Sequence, residues 1–222
     1  MSLFKKAKKK TQSETKYGGI AYFASVVSLA ILGITSPILA ISTLSIGSAR
    51  SYGICLASLA IGWVLTNFII SPKVSVFIHE FKHSFVSHLV GNKPRGMHLR
   101  KDHGHFEYEY YKSTAHHNST IALAPYWLPI FTIPALGAGY IIFHGSHNLW
   151  IGLVALSYGM DLSLGVKDIG PHQSDFTSLR GGYRFALIYL LGMYSTTISF
   201  LIIWAGERWN VVIDTIFTAF VK

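Results

Sequence analysis

The chain has 222 residues, 50% of them hydrophobic and only 13% charged, with mean hydropathy +0.39 and a formal net charge of +9. A soluble domain of this size carries about a quarter charged residues, so an ordinary water-facing globule is excluded. The basic residues gather in a tail and in loops beside apolar runs, where anionic lipid head groups and membrane orientation account for them, and no nucleic-acid-binding fold is recognisable.

In chain order, residues 1–17 hold Lys5, Lys6, Lys8, Lys9, Lys10 and Lys16 and read as a basic cytoplasmic tail. From Gly18 to Ala49 no residue is charged, a run far longer than the apolar core of a cleaved signal, so it is expected to remain as an anchor. The first span is placed near 18–40. The second is placed near 52–71, in the uncharged run Ser51 to Pro72. Cys55, the single cysteine, excludes an internal disulfide and reads as a small hydrophobe. Ser71-Pro72 breaks the pattern, and a helix from about Lys73 to Val90 stops at Gly91-Asn92.

That helix carries His79-Glu80-Phe81-Lys82-His83, an H-E-x-x-H motif. His79 and His83 lie one turn apart on one face, where two imidazoles can bind one Zn²⁺ and leave other coordination positions open. Glu80 lies beside them and can take a proton from the attacking water. The bland alternative is a helix whose histidines satisfy buried carbonyls while Glu80 pairs with a lysine such as Lys73. Against it stands the cost of ionisable groups near a bilayer interior, where they persist mainly for function. His79 is six residues past Lys73, about 9 Å into the helix, so the site is expected near one membrane face within reach of water.

Residues 92–118 form the largest polar connection. His105, Glu107 and Glu109 alternate there with Phe106, Tyr108 and Tyr110, a period-two pattern expected of a strand. It reads either as a surface hairpin or as an edge strand that pairs with an unwound substrate backbone. The next span, about 119–143, carries Pro125, Pro129 and Pro134, so it is expected to kink while neighbours satisfy the freed carbonyls. Further spans are placed at 148–166, after a break around His144-Gly145-Ser146-His147, and at 183–205, with Trp204 and Trp209 as an interfacial belt. The segment 206–222 is expected to lie in the interface, through Val211, Val212, Ile216, Phe217 and Phe220. The expected fold class is an all-α polytopic membrane protein, with about six transmembrane helices and a short β-strand or hairpin segment after the motif helix. Residues 18–205 form a single membrane domain. The N-terminal lysines and the loop carrying Lys93, Arg95, Arg100, Lys101 and Lys112 should share the cytoplasmic side, which requires an even number of crossings between them. Three candidate elements intervene, so a hairpin or re-entrant break at Ser36-Pro37 is one way to restore parity.

A catalytic zinc site typically has three protein ligands. Asp161, Asp168, His172 and Asp175 are the candidates for the third. Asp175 is favoured and Asp161 is the runner-up, because a carboxylate inside an apolar span needs a partner. The alternative role for Asp175 is a helix N-cap before the last span.

Taken together, the H-E-x-x-H helix, the strand segment after it, the Ala122-Leu123-Ala124-Pro125 span and Gln173-Ser174-Asp175-Phe176 resemble the site-2 protease family of intramembrane zinc metalloproteases over residues 73–200 or so. The resemblance implies His79, His83 and Asp175 as metal ligands and Glu80 as general base. The chain departs from the family's usual Asn-Pro-x-x-Asp-Gly element and has no PDZ insertion. The implied activity is Zn²⁺-dependent hydrolysis of a peptide bond in or near a transmembrane segment of a single-span membrane protein or signal-peptide remnant. The implied setting is the bacterial cytoplasmic (inner) membrane. His172, Asn118 and Tyr108 are candidate oxyanion donors. Two other readings are a zinc-binding transporter or sensor, using His98, His103, His105, His116 and His117, and an inactive membrane chaperone of the same fold.

Overall fold

The computed structural model describes residues 17–44, 47–99, 104–109, 116–143 and 146–207. The lysine tail through Lys16, the loop residues Arg100, Lys101, His103, Tyr110 and Lys112, the break at His144-Gly145 and the segment from 208 onward lie outside the described residues. The elements are α1 (Ile20–Leu44), α2 (Ala49–Ile69), α3 (Pro72–Leu89), β1 (Lys93–Leu99), β2 (Gly104–Glu109), α4 (Asn118–Trp127), α5 (Thr132–Ile142), α6 (His147–Lys167), α7 (Ser174–Thr177) and α8 (Gly182–Ala205).

Among the described residues, α1, α2, α6 and α8 are long and apolar enough to cross a membrane, and the α4–α5 pair, bent by 57°, makes a fifth span if it is counted as one. The chain is therefore a mostly helical, multi-pass membrane protein with a small two-stranded sheet. The count falls below six because α3 is not among the apolar spans: it carries Lys73, Glu80 and Lys82 in 18 residues.

No hairpin forms at Ser36-Pro37; α1 runs unbroken through Pro37. A proline removes the amide that would bond the carbonyl four residues back, here Gly33. The Ser195 hydroxyl of α8 donates to that Gly33 carbonyl at 2.7 Å, so the helix continues without an orphaned acceptor.

Two parallel helix pairs frame the molecule. Tyr22 meets Tyr189, Gly33 meets Gly192 and Ala40 packs with Ile203, so α1 and α8 run the same way. Ser51 bonds Asn148 and Gly62 packs on the Leu156 backbone, so α2 and α6 also run together. The turn between α6 and α8 is short, and the two pairs therefore point in opposite directions. Tyr17 is hydrogen-bonded to the Ser178 carbonyl and the Arg180 amide, which ties the entry to α1 to the segment just after α7. The start of α1, the end of α2, the start of α3 and α7 consequently share one end of the bundle. Two helices long and apolar enough to cross a membrane, α1 and α2, precede α3.

α3 is capped at both ends by residues legible in the sequence. The Ser71 hydroxyl accepts from the Val74 amide and Pro72 occupies the first turn. At the other end Gly91, at φ +82°, donates to His88 while Asn92 donates to Ser87, a Schellman motif. Phe77, Phe81 and Phe85 form an exposed apolar stripe one turn apart. The opposite face, with Ile78, Lys82, His83 and Val86, is buried. β1 and β2 pair antiparallel with an irregularity between Pro94 and Gly96, and Arg95 and Glu109 form an ion pair across them.

Candidate metal centre

The inner face of α3 meets α4, the break after α4, and the α6–α7 turn. The rings of His79 and His83 lie 5.1 Å apart. The Nε2 atoms of both point at one oxygen, Asp175 Oδ2, at 3.3 Å from His79 and 3.5 Å from His83. One ligand atom from each of the three residues lies within 4.8 Å of the others. This is the one group of at least three such residues that could hold a metal ion among the described residues.

The opposite ring nitrogens decide what those Nε2 atoms can be. His83 Nδ1 is 2.8 Å from the Ile121 carbonyl, which can only accept, so Nδ1 carries the proton and the neutral ring presents a lone pair at Nε2. His79 Nδ1 is 3.0 Å from Asp168 Oδ2, and a carboxylate there likewise takes the Nδ1 proton. With both rings neutral, two imidazole lone pairs and a carboxylate oxygen converge, an arrangement that repels itself until a cation or proton enters. A proton can fill that role at His79, where burial would lower the ring's pKa but the Asp168 and Asp175 carboxylates carry it up to about 9. Nitrogen, nitrogen and oxygen donors, each steadied from behind, fit Zn²⁺. Burial would raise the Asp175 carboxyl, but the His83 and His79 imidazoles hold it well below the usual carboxylate range, so it is ionised at neutral pH.

The acceptor used by His83 comes from the prolines. Pro125 has no amide to bond the carbonyl four residues back, which is Ile121, and His83 takes that place. Pro129 likewise frees the Pro125 carbonyl, and Lys82 Nζ donates to it at 3.1 Å. The carbonyls of Ile121 and Pro125 in the kinked span are thus satisfied by neighbours, and the neighbours are two side chains of the motif itself. The bland alternative for the histidines is half realised: one nitrogen of His83 satisfies a buried carbonyl while the other faces the centre.

Asp161 is not in the cluster. Its carboxylate accepts from the Phe131 and Thr132 amides and from the Thr132 hydroxyl at 2.8–3.2 Å, capping α5 where the span breaks. Asp175 does not act as a helix N-cap: Gln173 and Gly181 occupy the N-cap positions of α7 and α8, and Asp175 sits in the single turn of α7. Asp168 stands behind His79 as its orienting partner. Of the candidate oxyanion donors, His172 is exposed, while the Tyr108 hydroxyl donates to buried Asn118 at 3.4 Å. His116 and His117 lie in a short helical turn before α4 with their rings 3.8 Å apart; His103 and the side chains of His98 and His105 lie outside the described residues.

Glu80 is buried beside the cluster, and the hairpin closes over it. A Cβ built on Gly104, the first residue of β2, would overlap Glu80 Cγ and lie 2.7 Å from Oε1. Glycine is what lets this strand approach. Sequence reasoning missed Tyr126, whose hydroxyl donates to Asp175 Oδ2 at 2.9 Å. The signal was present: a buried tyrosine needs a partner for its hydroxyl.

The chain matches no family model, no curated protein and no solved structure.

Proposed function

We propose that the protein is a zinc-dependent intramembrane endopeptidase of the site-2 protease type, with His79, His83 and Asp175 as ligands and Glu80 as general base. The observation that carries this reading is the convergence of two imidazole Nε2 atoms and one carboxylate oxygen beside a buried glutamate, inside a bundle of apolar helices. His79, His83 and Asp175 would hold a zinc ion, which would supply Lewis acidity toward the scissile carbonyl and the attacking water. Glu80 takes the proton of the attacking water and delivers it to the leaving amine nitrogen. Asp168 and the Ile121 carbonyl hold both imidazoles in the tautomer that offers Nε2. A helical substrate hides its peptide bonds, and the β1–β2 hairpin beside Glu80 offers strand edges on which an unwound segment can be held extended.

The substrate class is a single-span membrane protein or signal-peptide remnant. The location is a bacterial inner membrane, with the N-terminus cytoplasmic. The test is metal analysis of the purified chain against His79→Ala and Asp175→Ala, alongside cleavage of a model transmembrane peptide. Stoichiometric zinc and cleavage in the wild type, both lost in each variant, is the expected result. Zinc without cleavage would turn the reading toward a transporter, a sensor or an inactive chaperone, and a wild type without zinc would end it.

The close approach of the hairpin gives a second expectation. Gly104→Ala should push Glu80 aside and lower the cleavage rate about 10²-fold, as misplacement by about 1 Å does, with zinc content unchanged. Peptide cleavage and metal analysis on the same preparation check it.

A further inference from the structure

We infer that Tyr126 is a positioning residue of the metal centre: its hydroxyl fixes which oxygen of Asp175 meets the ion, and from which direction. This inference rests on the proposed zinc centre and adds a determinant of its metal affinity.

α7 has four residues, too few to hold a side-chain direction by itself. Asp175 must therefore be aimed by its contacts. The nearest is the Tyr126 hydroxyl, 2.9 Å from Oδ2, the same oxygen that both Nε2 atoms face. An ionised carboxylate oxygen can accept this bond on one lone pair and offer the other inward. Asp175 would then bind through Oδ2 alone.

Tyr126 is suited to this because it cannot move. Its side chain is among the largest that are fully buried. Its ring packs edge-on against His79 at 5.5 Å, and tilted by 34° against Phe176, beside Asp175, at 4.6 Å. Its carbonyl accepts from the Tyr194 hydroxyl at 2.6 Å, and Gly165 lets the α6 backbone press against that same carbonyl. One tyrosine thus contacts two of the three ligand residues, and its own place is fixed by α6 and α8. Outer contacts of this kind typically change metal affinity 10- to 100-fold when removed.

The experiment compares Tyr126→Phe with Tyr52→Phe in the full-length chain in detergent. Both lose one buried hydroxyl; that of Tyr52 donates to the Thr43 carbonyl at the opposite end of the bundle. Zinc affinity is measured by chelator competition, and ligand geometry by the visible spectrum of the cobalt-loaded protein. Tyr126→Phe should bind zinc about 10- to 100-fold more weakly and shift the cobalt bands, while Tyr52→Phe matches the wild type in both. Wild-type affinity and spectrum in Tyr126→Phe would overturn the inference. So would an equal loss in Tyr52→Phe, which would mean general loosening. A wild type that binds neither metal would instead remove the centre itself, and Tyr126's role with it. Should Tyr126→Phe fail to fold, 3-fluorotyrosine at position 126 keeps the ring and changes the hydroxyl's acidity; an unshifted cobalt spectrum there also overturns the inference.

Discussion

Glu80→Gln is expected to slow peptide cleavage by a factor of about 10²–10⁴ while leaving one zinc per chain. The amide is isosteric with the carboxylate, so the packing beneath Gly104 is kept. What is lost is the basic oxygen that accepts the water's proton and returns it to the leaving nitrogen. Glu80 is not a member of the converging group, so metal content should not change. The same preparation is assayed for zinc and for cleavage of a transmembrane peptide. Cleavage within a few-fold of wild type would sink the proposed mechanism, since Asp168, the other carboxylate against the cluster, is engaged with His79 Nδ1. A transporter would keep its function in this variant.

Asp161→Ala should be the most destabilising substitution in the α4–α5 region, by about 3–5 kcal/mol. Its carboxylate receives two backbone amides and one hydroxyl at the break, where a bent span exposes donors that lipid cannot satisfy. Removing it leaves the Phe131 and Thr132 donors without their acceptor, at about 1–3 kcal/mol for an unsatisfied buried group. It also takes away one of the carboxylates whose charge offsets that of buried Lys82. Thermal unfolding in detergent measures the loss, and an unfolding temperature equal to the wild type would refute the capping role. Metal analysis separates the two aspartates. The folded fraction of Asp161→Asn should retain zinc, whereas Asp175→Asn should not.

Local chemistry was the part of this protein most open to reading from sequence. Ser71-Pro72 and Gly91 bracket α3 because caps are written in adjacent residues, and the four-residue spacing of His79 and His83 needs only helical geometry. The alternation through 105–109 marks β2, yet its partner Lys93–Leu99, with a proline and a glycine, shows no alternation and becomes a strand only through pairing. The kink in the proline-bearing run was foreseeable from Pro125 and Pro129. That His83 and Lys82 would meet the freed carbonyls was not, because those contacts span about 40 residues. Asp161 shows the limit most plainly. A buried carboxylate announces that it has a partner, but nothing in the sequence distinguishes a metal ion from the amides of a helix broken 30 residues earlier. Asp168 and Tyr126 reach their targets across 89 and 49 residues, and only packing reveals them.

Pro125 carries no functional group, yet it has a hand in where a histidine's hydrogen sits. Any other amino acid there would bring an amide able to compete for the Ile121 carbonyl, and His83 would lose its exclusive claim on that oxygen. A mutational survey guided by side-chain reactivity would pass over this position. The ring's orientation is in part a property of what the backbone lacks, and a redesign of the centre that starts from its ligands should leave that gap in place.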